Sequence, residues 1–135
     1  MTHSNNSDTV TQGLRIEAAA QYLPSESDPE RGRFIFIYRI RMTNSGDQPV
    51  QLMNRSWLII DANGKREVVK GEGVVGKQPK LAPGETFEYT SYCPLRTDWG
   101  TMEGHFQFTQ EDGGEFDGQV GRFYMVIAAE NVILS

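Results

Sequence analysis

Residues 71–84 read GEGVVGKQPKLAPG, and their types and spacing suit the binding of an anion. Gly71, Gly73 and Gly76 are spaced G-x-G-x-x-G, with Lys70, Lys77 and Lys80 around them. Glycine lets the backbone turn at positive φ or approach a ligand closely, and successive amides with lysines beside them make a concavity that suits phosphate. Between Lys65 and Lys80 the basic residues Lys65, Arg66, Lys70, Lys77 and Lys80 outnumber Glu67 and Glu72, in a chain of formal charge −5. A dinucleotide-fold meaning is excluded, because that fingerprint must follow a strand and open a helix. Here Pro79 and Pro83 follow and no helical period begins, so no helix N-terminus receives a pyrophosphate. Two readings remain for the stretch: an amide nest for phosphate, and a solvated, shaped loop between strands.

Other reactive groups are few. His105 shares a strand face with Glu103, but two such residues without a third positioned group do not make a catalytic constellation. Cys93 is the one cysteine; it cannot form an internal disulfide or hold a structural zinc alone, and is read as a small core residue. The run EDGGEFDG, residues 111–118, clusters Glu111, Asp112, Glu115 and Asp117, yet lacks the ligand order and closing glutamate of a calcium loop. Trp57 reads as core. Trp99, in the segment PLRTDWG with Arg96 and Asp98, combines an aromatic and an arginine, the usual anchors of a protein interface.

The elements that position these groups are strands. Leu14, Ile16, Ala18, Ala20 and Tyr22 alternate with polar neighbours, the period of a half-buried strand. Phe34, Phe36, Tyr38, Ile40 and Met42 do the same, with Ile35 and Ile37 indicating that the outer face is partly covered. Loops are expected at Pro24 to Gly32 and Asn44 to Asp47. Over Val50 to Ile60 the apolar parity switches from even to odd positions, which alternation cannot do without an extra residue; a bulge near Asn54-Arg55-Ser56 accounts for it, the alternative being a strand buried on both faces at its end, which Leu58 and Ile60 also permit. Asp61 to Gly64 is a hairpin turn, Glu67 to Lys70 a short strand, and Ala82 to Glu85 a turn. Phe87, Tyr89, Ser91 and Cys93 then share a face, Pro94 to Gly100 is a loop, and Met102, Gly104, Phe106 and Phe108 alternate with an outer face carrying His105. Phe123, Met125 and Ile127 close the pattern. Seven to eight short strands without a helix predict an all-β, antiparallel β-sandwich.

At 135 residues the chain suits one domain with a real core. Residues 1–12, including His3, are polar and unpatterned and read as a flexible tail, leaving 13–135 as the single domain. The acidic balance excludes a general nucleic-acid or anionic-membrane surface. No basic and apolar leader and no membrane-length apolar run is present, and the lone cysteine suits a reducing compartment, so a cytoplasmic location is expected.

Arg55-x-Trp57, the Gly71 to Pro79 run, Pro83-Gly84-Glu85 and Gly100-x-Met102-x-Gly104 together resemble the ApaG family, in order and spacing, over nearly all of the chain beyond the tail. The resemblance implies a fibronectin type III-like sandwich. It also implies bacterial proteins linked to cobalt and magnesium handling, often encoded near a diadenosine tetraphosphate hydrolase, and a related domain that recognises proteins in eukaryotic F-box proteins. The expected function is a noncatalytic recognition or ligand-binding module without cofactor or metal, its partner a protein engaged through Arg96 and Trp99. The alternative is a binder of nucleotide polyphosphate or pyrophosphate through Lys70, Gly71, Gly73, Gly76, Lys77 and Lys80.

Overall fold

The structure, a computed structural model, describes residues 5–127. Nine strands follow one another: β1 Ser7–Thr11, β2 Leu14–Tyr22, β3 Phe34–Asn44, β4 Val50–Asp61, β5 Arg66–Glu72, β6 Lys80–Leu81, β7 Thr86–Leu95, β8 Trp99–Gln110 and β9 Glu115–Val126. The only helical elements among the described residues are two 3-10 turns, Pro24–Glu26 and Pro29–Arg31, inside the expected loop. One sheet has the order β1-β2-β3-β7, the other β5-β4-β8-β9 with β6 paired to β4, and every pairing between named strands is antiparallel. The two sheets pack as the expected sandwich.

Alternation decides which side chains fill the space between sheets. From the first sheet come Leu14, Ile16, Phe36, Tyr38, Ile40, Met42 and Tyr89, and from the second Leu52, Trp57, Met102, Phe106, Phe108, Phe123 and Met125, all buried. Trp57, 2% exposed, is core as expected. Its ring meets Tyr38 at 5.6 Å, Phe106 at 5.5 Å and Phe123 at 6.1 Å between centroids, each edge to face. This is the arrangement aromatic quadrupoles favour, and it ties the sheets together at their middle.

The parity switch in β4 is a bulge, placed one residue earlier than expected. Leu52 pairs with Phe108 and Asn54 with Gln107, leaving Met53 as the extra residue. Beyond it Arg55, Trp57 and Ile59 share the inner face, and Asn54, Ser56, Leu58 and Ile60 the outer one.

Three boundaries are corrected. Ser7–Thr11, read as part of a flexible tail, forms β1 and pairs with β2; His3 lies outside the described residues. The strand count exceeds the expected seven to eight through β1 and the two-residue β6. The loop Pro94 to Gly100 shrinks to residues 96–98, because β7 runs through Leu95 and Trp99 already pairs with Val126 as the first residue of β8.

The sandwich is closed on one side and open on the other. Along β1 and β9, the Thr9 hydroxyl donates to Gln119 O, the Gln119 amide to Thr11 Oγ1, and the Tyr124 amide to Asn5 O. At the opposite side β5 and β7 both stand as sheet edges.

Candidate functional site

The glycine stretch serves a structural purpose visible in its bonds. Val74 and Lys77 exchange amide–carbonyl bonds of 2.8 and 2.9 Å, and between them Val75 (φ 43°) and Gly76 (φ 80°) make a two-residue turn. Positive φ at both central residues is what a type I′ turn requires. The Gly73 amide donates to Met53 O at 2.9 Å, and Gln78 Nε2 donates to the same carbonyl at 3.0 Å. The carbonyl of the bulge residue is thus where the turn is anchored. Arg55 completes the unit: its Nη1 donates to Glu72 O at 3.0 Å and Gly73 O at 2.9 Å. A Cβ at Gly71 would stand 2.7 Å from its Nη2. Arg55-x-Trp57 and the glycine run therefore form one interlocked structure, with Val74 buried beneath it.

This geometry changes the phosphate reading. The amides of Gly73, Val74 and Lys77 are engaged by protein carbonyls, so they do not converge as an open nest. Of the six residues expected to hold phosphate, Lys70 and Gly71 lie in β5, Gly73, Gly76 and Lys77 in the turn, and Lys80 in β6. Only Lys70 and Gly71 line the larger surface groove described next. Lys70, Lys77 and Lys80 are exposed and form no ion pair among the described residues.

Sequence reasoning did not reach the outer face of the second sheet. Register sets its rows across β5, β4, β8 and β9: Glu72, Asn54, Gln107, Asp117; then Lys70, Ser56, His105, Gln119; then Val68, Leu58, Glu103; then Arg66, Ile60, Thr101, Tyr124. Trp99 beside Val126 completes the far end. Two adjoining depressions, of about 750 and 510 Å³, lie on this face and share Ser56 and His105. The upper one is polar and already bonded along itself: Asn54 Nδ2 donates to Gln107 Oε1, and Gln107 Nε2 to Glu115 Oε1 at 2.8 Å. The smaller one sets Leu58 and Val68 among Arg66, Glu103, His105 and Gln119, and further apolar side chains lie toward the Trp99 end of the face. Val68 is 61%, Trp99 42% and Tyr124 37% exposed, around half-buried Leu58, Ile60 and Val126. A Trp99 ring on this sheet face, with exposed Arg96 in the adjoining turn, brings the two expected interface residues to one end of the molecule.

The groups that suggested catalysis have other partners. Glu103 accepts from Arg122 Nε at 2.7 Å, Glu115 is held by Gln107, and Asp112 caps its own turn by accepting from the Gly114 amide at 2.8 Å. His105 stands on the outer face as expected. Cys93 is 3% exposed, and burial, with a smaller contribution from Glu67, pushes its thiol up to about 12; a thiol held neutral is a poor nucleophile. Among the described residues no group of three or more His, Cys, Asp or Glu is placed to hold a metal ion. No helix among them is long and apolar enough to cross a membrane.

Two antiparallel sheets face to face around an aromatic core define an immunoglobulin- or fibronectin type III-like sandwich. A family model described as the ApaG domain matches residues 24–110. A protein named ApaG from Anaeromyxobacter dehalogenans (strain 2CP-C) is 46% identical over 121 residues, 90% of this chain and 95% of that protein. The protein of the same name from Bdellovibrio bacteriovorus is 51% identical over 118 residues, 87% and 93% of the two chains. The crystal structure of a Bordetella pertussis protein described as ApaA matches with TM-score 0.83 at 43% identity, over 84% of this chain and 93% of that one. The chain belongs to the ApaG family.

Proposed function

We propose that the chain is a noncatalytic protein-recognition module whose recognition surface is the outer face of the β5-β4-β8-β9 sheet. The observation that carries this is the gathering of Val68, Trp99 and Tyr124, all exposed, on one sheet face with Leu58, Ile60 and Val126 between them. A contiguous apolar patch on a monomer surface, rimmed by polar groups, is characteristic of an interaction site. The rigid sheet beneath fixes the patch in shape before any partner arrives, which lowers the ordering cost of binding. On this reading the cobalt and magnesium link implied by family resemblance is indirect, exercised through the partner in a cytoplasmic setting.

The phosphate alternative keeps one observation in its favour, the exposed Lys70, Lys77 and Lys80, which form no ion pair among the described residues. It now has to work mainly through side chains. Paired variants separate the two readings in affinity purification from the native cell. A partner recovered by the unaltered protein should be lost with Arg96→Ala and Trp99→Ala together, and kept with Lys77→Ala and Lys80→Ala together. The opposite result, joined to saturable amide shifts on adding ATP or a dinucleoside tetraphosphate, would replace the recognition reading with the phosphate one.

A further inference from the structure

β5 is an edge of the recognition sheet, with no strand among the described residues paired to its outer side. It pairs with β4 on one side only. Its residues alternate strictly: Glu67, Val69 and Gly71 share the inner face with Trp57, while Arg66, Val68, Lys70 and Glu72 stand on the outer one. The other edge on the open side, β7, carries Pro94, which has no amide to give to an added strand. β5 carries no proline over its seven residues. Its outer face offers a cation, an apolar side chain and a second cation at successive outward positions, with Val68 61% exposed. Neither Arg66 nor Lys70 makes an ion pair among the described residues, whereas Arg122, on β9, is taken by Glu103.

We infer that β5 receives an extended, acidic peptide segment of the partner as an added strand, with acid, apolar and acid side chains at alternate positions opposite Arg66, Val68 and Lys70. Strand addition supplies affinity through the backbone and specificity through alternate side chains. Directly opposed side chains across a strand pair interact favourably when their charges are opposite and unfavourably when they are alike. The pattern acid-x-apolar-x-acid reads the same in both directions, so charge alone leaves the strand free to run parallel or antiparallel. Its apolar side chain would extend the row Val68, Leu58 and thereby join the apolar part of the sheet face. The same two cations would repel a second copy of β5 paired in register, which turns the edge away from self-association. This inference rests on the recognition reading and narrows it to one edge and one partner chemistry.

The test uses the full chain, isotope-labelled, with synthetic heptapeptides at about 1 mM, a concentration that populates weak complexes. The probe is Thr-Glu-Thr-Val-Thr-Glu-Thr with blocked ends. The expected result is saturable amide shifts over Arg66–Glu72, with slowed hydrogen exchange of the outward-pointing amides of β5. Thr-Lys-Thr-Val-Thr-Lys-Thr should bind about tenfold more weakly from the two reversed pairs, and the order should invert for the Arg66→Glu, Lys70→Glu protein. N-methylation of the peptide on its pairing edge, which removes backbone donors and leaves side chains alone, should abolish binding. Equal binding of the acidic and basic peptides would overturn the inference, as would no shift with any peptide. Shifts at Trp99, Tyr124 and Val126 without protection of β5 would overturn strand addition and leave the recognition face standing. Protection of β5 that rises with protein concentration alone would overturn it in favour of a second copy of this chain.

Discussion

Replacing Gly73 and Gly76 separately by alanine tests whether the glycine run is architecture. Both sit at positive φ, 63° and 80°, so each substitution carries the left-handed penalty of about 1–2 kcal/mol. Their surroundings differ. A Cβ at Gly76 meets nothing within 4 Å, whereas one at Gly73 would lie 2.4 Å from Lys77 O, the acceptor of the Val74 amide. Relieving that overlap means breaking the bond that closes the turn or withdrawing the Gly73 amide from Met53 O, at about 1 kcal/mol for each bond lost. Gly73→Ala is therefore expected to cost about 2–3 kcal/mol, and Gly76→Ala about 1–2 kcal/mol. Urea unfolding followed by fluorescence reads the difference, with a midpoint shift for Gly73→Ala of about 1–2 M. Equal costs at the two positions, or a loss under about 1 kcal/mol for Gly73→Ala, would refute the interlocked turn.

Three further outcomes follow from the same geometry. Val75 is a β-branched residue at φ 43°, 54% exposed, so Val75→Asn should stabilise the protein by about 0.5–1 kcal/mol; destabilisation in the same urea series would contradict the described turn. Arg55→Ala removes both bonds from Nη1 to Glu72 O and Gly73 O and is expected to cost about 2–3 kcal/mol, with amide exchange accelerated first at Gly73 and Val74; an unchanged exchange pattern would remove Arg55 as the staple. Burial raises the folded-state pKa of Cys93, and of Tyr38 and Tyr89, above their ordinary values of 9.0 and 10.0. Stability from these neutral groups is complete below pH 9 and is lost as pH rises from 9 toward the folded values. Thermal stability should therefore decline above pH 9, with a shallower decline in Cys93→Ala, and a decline unchanged by that substitution would count against the buried thiol.

What could be read from sequence was whatever rested on local alternation. β2 and β3 emerged because large apolar side chains occupy every second position, and the parity switch in β4 announced a bulge because alternation cannot change phase otherwise. β1 was missed because its alternation carries the opposite message. Val10 points outward at 65% exposure, while Ser7, Thr9 and Thr11 face inward. Backbone pairing with β2 and threonine hydroxyls bonded to Gln119 hold this strand, so hydrophobic period has nothing to report. Trp99 looked like loop because Pro94 and Gly100 bracket it, yet Gly100 sits in β8, where a Cβ would approach Ile60 O at 2.7 Å. Proline and glycine there mark an edge strand and a close backbone approach.

The candidate site divides in the same way. His105 outward, Cys93 inward and Trp57 in the core follow from period alone. The proposed recognition face does not, since its rows join Val68, Leu58, Ile60 and Tyr124 from three strands through register, which is non-local. Read singly, Leu58 and Ile60 resembled the end of a strand buried on both faces. The lysines and glycines were conspicuous in sequence and their spacing suggested a ligand. Much of that conspicuousness comes from the turn and from Arg55, which require those glycines for backbone reasons.

The recognition face is tested most directly by site-specific photo-crosslinking in the native cell, with a benzoylphenylalanine in place of Val68, Trp99 or Tyr124 in turn. Tyr92, 63% exposed on the outer face of the other sheet, serves as the control position. One and the same foreign polypeptide joined at all three positions and absent from position 92 is the predicted result. No adduct at the three positions, or the same adducts at position 92, would contradict it.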